Sequence, residues 1–119
     1  MKAIHGTAIY TGGGIYVVIG ELDNGLWFCG NNDWCSIFDE DTRTYNDEED
    51  DLACFWNEWC EAHEVKDVDK KEVYAMFKDF CERLDKKEPD ITKGYEEFSN
   101  YAPGEVTDYI DFSYFDDLN

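Results

Sequence analysis

Basic residues are scarce in this chain: 10 lysines and arginines stand against 29 aspartates and glutamates in 119 residues, a formal charge of −19. Charge of that size makes the surface repel itself and steers partners over long range, which excludes nucleic acid and anionic membranes as direct partners and favours a basic surface. Long apolar runs are missing as well. No stretch approaches the roughly 20 residues that span a bilayer, and no basic start leads into an apolar run as in a signal peptide, so a soluble, cytoplasmic protein is expected. The five cysteines, Cys29, Cys35, Cys54, Cys60 and Cys81, are odd in number and form no C-x-x-C pair. Reduced thiols packed as small hydrophobes are expected, not a disulfide framework. Internal repeats and long linkers are also absent, leaving a single domain over residues 1–119.

What is present is enough apolar material to fold. Apolar residues make up 43% of the chain and aromatics 17%, which separates it from the low-hydrophobicity signature of a disordered chain. The N-terminal third reads as strands at residues 3–10, 15–21 and 26–29, with a weaker candidate at 34–38. The Asp23-Asn24-Gly25 turn is the stronger hairpin signal, because residues tolerant of positive φ sit between β-branched and aromatic runs. From Asn46 the period changes: Leu52, Phe55, Trp56, Trp59 and His63 fall on one helical face, and the spacing predicts a helix over 47–64. Asp69 and Glu72 have the spacing of a capping box, followed by a stripe of Val73, Met76, Phe77, Phe80 and Leu84 that stops before Pro89. Residues 94–102 suit a short helix. In the tail, Ile110, Phe112 and Tyr114 alternate with polar residues, which predicts a last strand within 105–118. The expected fold is α+β: a small antiparallel sheet of three to four meander strands, joined by a C-terminal strand, packed against two amphipathic helices.

Several motifs fail on inspection. TGGGIYVVIG lacks the Lys-Ser/Thr ending and following helix of a phosphate loop, so a hairpin turn is the better reading. DEDTRTYNDEED places Arg43 where a calcium loop needs an oxygen ligand, and Thr44 where it needs glycine. Cys54 is turned roughly 240° from Cys60 on a helix, so only Cys60 and His63 share a face and no zinc set results. A cysteine nucleophile needs a histidine base and a positive environment, and the anionic surroundings of both histidines favour the neutral thiol. Neither catalysis, nor a metal, nor a cofactor is expected.

The acids themselves are concentrated. Residues 21–64 carry a net charge of −13, residues 65–93 are neutral, and residues 94–119 carry −7. Within the first block, Asp47, Glu48, Glu49, Asp50 and Asp51 open the first predicted helix, where the macrodipole favours an anion by a few tenths to about 1 kcal/mol per group. Two or three acids satisfy that effect. Five in a row, preceded by Asp39, Glu40 and Asp41 and followed by Glu58 and Glu61, repel one another beyond it. Carboxylates on neighbouring helix positions lie about 5–6 Å apart, near the spacing of phosphates on a nucleic acid. A groove built for DNA would accept them, with Trp34, Tyr45 and Tyr101 as anchors at the margin.

In size, charge, reduced cysteines and the segment YNDEEDDLACFWNEW, the chain resembles the small acidic DNA-mimic inhibitors of phages and mobile elements, which block CRISPR effectors or restriction enzymes. The resemblance is one of kind and rests on no aligned motif. It implies a non-enzymatic inhibitor whose partner is a basic nucleic-acid-binding protein. The contact set expected on that reading is Asp39 to Asp41, Asp47 to Asp51, Glu58 and Glu61, with Asp108, Asp111, Asp116 and Asp117 as a second cluster. The competing reading is a protein-interaction module that works through its aromatic surface; an enzyme, a solubility role and salt adaptation rank lower.

Overall fold

The computed structural model describes residues 1–12, 15–32, 34–42, 52–86, 88–92, 106–108 and 110. Four strands follow in chain order, β1 (Ala3–Gly12), β2 (Ile15–Leu22), β3 (Trp27–Gly30) and β4 (Cys35–Phe38), each antiparallel to the last. This is the expected meander, with ends shifted by one or two residues. The β1–β2 connection closes with Gly12 opposite Ile15, so the glycine run serves a hairpin. Between β2 and β3, Gly25 takes φ 84° and donates to Leu22 O at 3.1 Å, while Asn24 Oδ1 accepts from Leu26 N at 3.0 Å. Glycine suits the positive φ at position 25, and the Asn24 side chain closes the turn by its own hydrogen bond, which is why the chain reverses there.

Alternation along these strands defines two faces. Ala3, Tyr16, Val18, Leu22, Phe28, Cys35 and Ile37 are buried on one, within the main core. Ile19, Cys29 and Phe38 are buried on the other. The middle of the sheet is therefore covered on both sides, so β3 reads as a nearly continuous apolar run instead of an alternating one.

Each face receives one helix. Helix α1 (Leu52–His63) places Trp59 on the second face against Phe38, ring centroids 4.9 Å apart, a contact worth about 0.5–1.5 kcal/mol beyond area burial. The side chains of residues 52–56 and the stretch 47–51 lie outside the described residues. Helix α2 (Lys70–Asp85) covers the first face with Val73, Met76, Phe77, Phe80 and Cys81. Its expected stripe is present, with Leu84 half-buried and Cys81 added. Asp69 caps it by accepting from Lys71 N at 3.0 Å, worth about 1 kcal/mol. Glu72, instead of closing the box, accepts from the N-terminal ammonium at 3.3 Å.

The two helices are joined through β5 (Glu64–Val65), a strand too short to show in the sequence, which adds to β4 with Val65 opposite Ile37 and Glu64 opposite Phe38. The first helix thus ends at His63, one residue short of its predicted end. The chain passes around the sheet edge at β5 from one face to the other. The short helix α3 (Pro89–Thr92) then packs beside β1, and Arg83 joins these pieces: it donates to Ala3 O at 2.8 Å and to Glu88 Oε2 at 2.9 Å.

The alternation that predicts a last strand, Ile110, Phe112 and Tyr114, lies outside the described residues after Ile110, and the described part of the tail before it is a turn. Val106–Asp108 forms a 3₁₀ turn, not the start of a strand. Its cause is distant in sequence: the Asp85 carboxylate accepts from Val106 N at 2.7 Å and Thr107 N at 3.1 Å, and also takes the Thr107 hydroxyl. Those bonds curl the backbone against α2. Residues 111–119 and the predicted helix at 94–102 lie outside the described residues.

At Gly6 the chain is packed closely against both the neighbouring strand and α2. A Cβ at Gly6 would collide with the carbonyl oxygen of Ile19 and stand 2.7 Å from the Phe80 ring, whereas one at Gly25 meets nothing within 4 Å. Gly6→Ala is therefore expected to cost about 2–3 kcal/mol through overpacking, against about 1 kcal/mol for Gly25→Ala from backbone strain alone. Urea denaturation of the two variants gives the order directly; equal losses would show that the contact yields.

Candidate interaction surface

The acidic segment after β4 is held by three ties. Thr42, fully buried, donates its hydroxyl to Phe28 O at 3.3 Å, drawing the chain back under β3. Asp39 N donates to His63 O at 3.0 Å, and Asp39 Oδ1 hydrogen bonds to His63 Nδ1 at 2.9 Å. His63 in turn stacks near Trp59, ring centroids 5.0 Å apart. The inward tryptophan thereby fixes the histidine, and the histidine fixes the first acid of the segment.

This places Asp39, Glu40 and Asp41 beside the end of α1, whose outer side exposes Glu58 and Glu61. Asp39 and Glu40 are exposed and Asp41 is half-buried, its N–H donating to Glu40 Oε1 at 3.1 Å. The structure thus gathers five of the expected contact residues on the α1 side. Asp108 stands apart from them: its turn is anchored to α2, in the layer across the sheet. Asp47 to Asp51, Asp111, Asp116 and Asp117 lie outside the described residues, as do Tyr45 and Tyr101. Trp34, expected as a marginal anchor, is half-buried against the Ile19, Cys29, Phe38 and Trp59 cluster, so much of its surface is committed to folding.

The two layers differ in charge. Described residues in 34–65 hold six acids, Asp39, Glu40, Asp41, Glu58, Glu61 and Glu64, and no lysine or arginine. Described residues in 66–92 hold six bases and eight acids, interspersed along α2 and its flanks. Charge is therefore segregated by the sheet. The bond between His63 and Asp39 was not legible in the sequence, because the partners stand 24 positions apart and only the return of α1 to the β4 edge brings them together.

The other histidine is also paired with an acid, His5 Nε2 lying 2.7 Å from Glu21 Oε1 on the neighbouring strand with Trp27 edge-on beyond it. Among the described residues, no three His, Cys, Asp or Glu side chains converge to hold a metal ion. Nor is any helix among them long and apolar enough to cross a membrane.

Three thiols, Cys35, Cys60 and Cys81, are held protonated. Burial, and then the neighbouring Glu64 carboxylate, push the Cys60 thiol up to about 11. Burial first, then the thiols of Cys29 and Cys81, raise Cys35; burial, then Asp85 and Glu82, raise Cys81. For Cys60 the thiolate fraction at pH 8 falls to about one in a thousand, against about one in four for an ordinary cysteine. Iodoacetamide at pH 8, read by peptide mass spectrometry, is expected to alkylate Cys60 roughly 100-fold more slowly in the native protein than in urea. The native rate should climb as pH rises toward 11; rapid native labelling at pH 8 would contradict the assignment.

Compared with known proteins, the chain matches no protein-family model, no curated protein and no solved structure.

Proposed function

We propose that this chain is a non-enzymatic acidic protein that occupies the basic nucleic-acid-binding groove of a partner by polyanion mimicry and inhibits it, in the manner of an anti-CRISPR or anti-restriction protein. The observation that supports the reading is the distribution of charge among the described residues: Asp39, Glu40, Asp41, Glu58 and Glu61 stand on the α1 side with no described lysine or arginine in 34–65, against mixed signs on the α2 side. A surface evolved only for solubility has no reason to separate signs across the sheet, because mixing them lowers self-repulsion. Glu58 and Glu61 are three positions apart on α1, which sets their side chains about 5–6 Å from each other. Asp39 and Glu40 extend the row from a second element, and the His63 bond holds Asp39 at the end of that helix.

A lysine- and arginine-lined groove binds DNA largely by charge, so a mimic competes for it with strong salt dependence. Fluorescent duplex bound to a CRISPR nuclease or restriction endonuclease is expected to be displaced at 50 mM salt, and at least tenfold less effectively at 200 mM. Combining Glu40→Lys, Glu58→Lys and Glu61→Lys should weaken displacement at least tenfold further, while Glu82→Lys on α2 leaves it within twofold. An affinity that ignores both salt and these reversals would sink the proposal. If such an affinity instead fell with Trp34→Ala, an aromatic interaction module would be the better account.

A further inference from the structure

Of the chain's asparagines, only Asn24 is followed by glycine. Asparagine is thermolabile, and at such a pair its chemistry is intramolecular. The Gly25 backbone nitrogen, once it has lost its proton, attacks Asn24 Cγ, and the Cγ–Nδ2 bond breaks to release ammonia. Glycine favours the step because it has no Cβ to hinder the approach of its nitrogen. Water then opens the cyclic imide. Breaking the new N–Cγ bond leaves aspartate on an unchanged backbone; breaking the bond to the main-chain carbonyl carbon of residue 24 leaves isoaspartate, whose backbone runs through Cβ and is one carbon longer.

Packing does not guard this pair. Asp23, Asn24 and Gly25 are exposed, and a Cβ added at Gly25 would meet nothing within 4 Å. Two hydrogen bonds do guard it. Gly25 N donates to Leu22 O at 3.1 Å, which holds the proton that the nitrogen must lose before it attacks. Asn24 Oδ1 accepts from Leu26 N at 3.0 Å, which keeps the side-chain carbonyl turned toward Leu26 and not free to swing onto Gly25. The turn is closed in addition by Leu22 N, which donates to Leu26 O at 2.8 Å. Asp23 is pinned from outside, its N–H donating to Lys2 O at 2.8 Å and its Oδ1 accepting from Lys2 N at 3.2 Å. These bonds tie the turn to the β2–β3 ladder and to the residue before β1, so the guarding pair is released only when the end of the hairpin opens.

We infer that Asn24 is a site of spontaneous deamidation and that the hairpin gates it, the reaction running through a locally opened turn. Exposed turns open at a small fraction of the free energy of global unfolding, so the gate slows the reaction without abolishing it. The two products then part ways. Aspartate keeps an oxygen that accepts from Leu26 N, and the turn closes again. Isoaspartate puts an extra carbon between residues 24 and 25, so that Gly25 N and Leu26 O no longer both reach Leu22. The chemistry at Asn24 is independent of groove binding by the α1 side, and either reading can fail without the other.

The full chain and a blocked peptide of residues 20–28 are incubated side by side at neutral pH, with the mass gain of amide to acid followed by mass spectrometry and the two isomers separated by chromatography. The peptide is expected to convert at least tenfold faster than the full chain, the slowing that two hydrogen bonds of ordinary net strength confer. Amide exchange should show Gly25 protected by a similar factor. Asn24→Gln in the peptide should remove the mass gain. Asn24→Asp in the full chain should leave Gly25 protected, whereas chain isolated in the isoaspartate form should lose that protection. Equal rates in peptide and chain, a mass gain that persists in Asn24→Gln, a Gly25 amide that exchanges as fast as in the peptide, or the same protection in both acidic forms would overturn the proposal.

Discussion

Three strand glycines let three phenylalanine rings lie directly on the backbone of the sheet, and the rest of the architecture depends on that contact. Gly6 and Gly20 are opposite each other on β1 and β2, and Gly30 follows on β3. A Cβ at any of them would stand within 2.7 Å of a ring atom, of Phe80 at Gly6, of Phe28 at Gly20 and of Phe77 at Gly30. The rings also meet one another edge to face, Phe28 with Phe80 at 5.0 Å and with Phe77 at 6.3 Å between centroids. Close packing of this kind has little room to adjust, since interiors are as dense as organic crystals. It sets the height of α2 above the strands. From that height Arg83 reaches the Ala3 carbonyl and Asp85 the backbone of the 3₁₀ turn.

With one face of the sheet occupied by α2, the remaining apolar patch around Ile19, Cys29 and Phe38 is left for α1. The crossover between the two helices is then forced to the β5 edge, and its shortness follows from having to turn there. The distribution of charge follows from the same division. Among the described residues, those of the neutral segment form the α2 layer, and Asp39 to Asp41, Glu58 and Glu61 of the first acidic block stand with α1, to which His63 ties Asp39. Folding thus converts an uneven charge profile along the chain into opposite sides of a sheet. That conversion is what gives the groove-binding proposal its geometry.

The periodicities carried most of the secondary structure. Strands of β-branched and aromatic residues and the Val73 to Phe80 stripe are local signals, and they were legible because local spacing decides them. Features set by contacts across long separations were not. The close approach at Gly6 and Gly30 exists only once Phe80 and Phe77 of a distant helix arrive. Glu64–Val65 pairs as a strand because α1 returns beside Phe38, and two residues carry no period of their own. The 3₁₀ turn at Val106–Asp108 belongs with these, because Asp85, 21 positions before Val106, captures that backbone and curls it. Among the acids, the sequence located the excess but not its side: Asp39 and Glu58 end up on one layer and Asp108 on the other.

On the proposed function, the α1 side, and not the acidic charge as a whole, meets the partner. Carbodiimide labelling of carboxylates, read residue by residue by mass spectrometry with and without a bound DNA-binding effector, tests it most directly. Protection at Glu40, Glu58 and Glu61, with Glu82, Asp90 and Asp108 labelled as in the free protein, is the result predicted. Protection centred on the α2 side, or spread evenly over all the carboxylates, would contradict it.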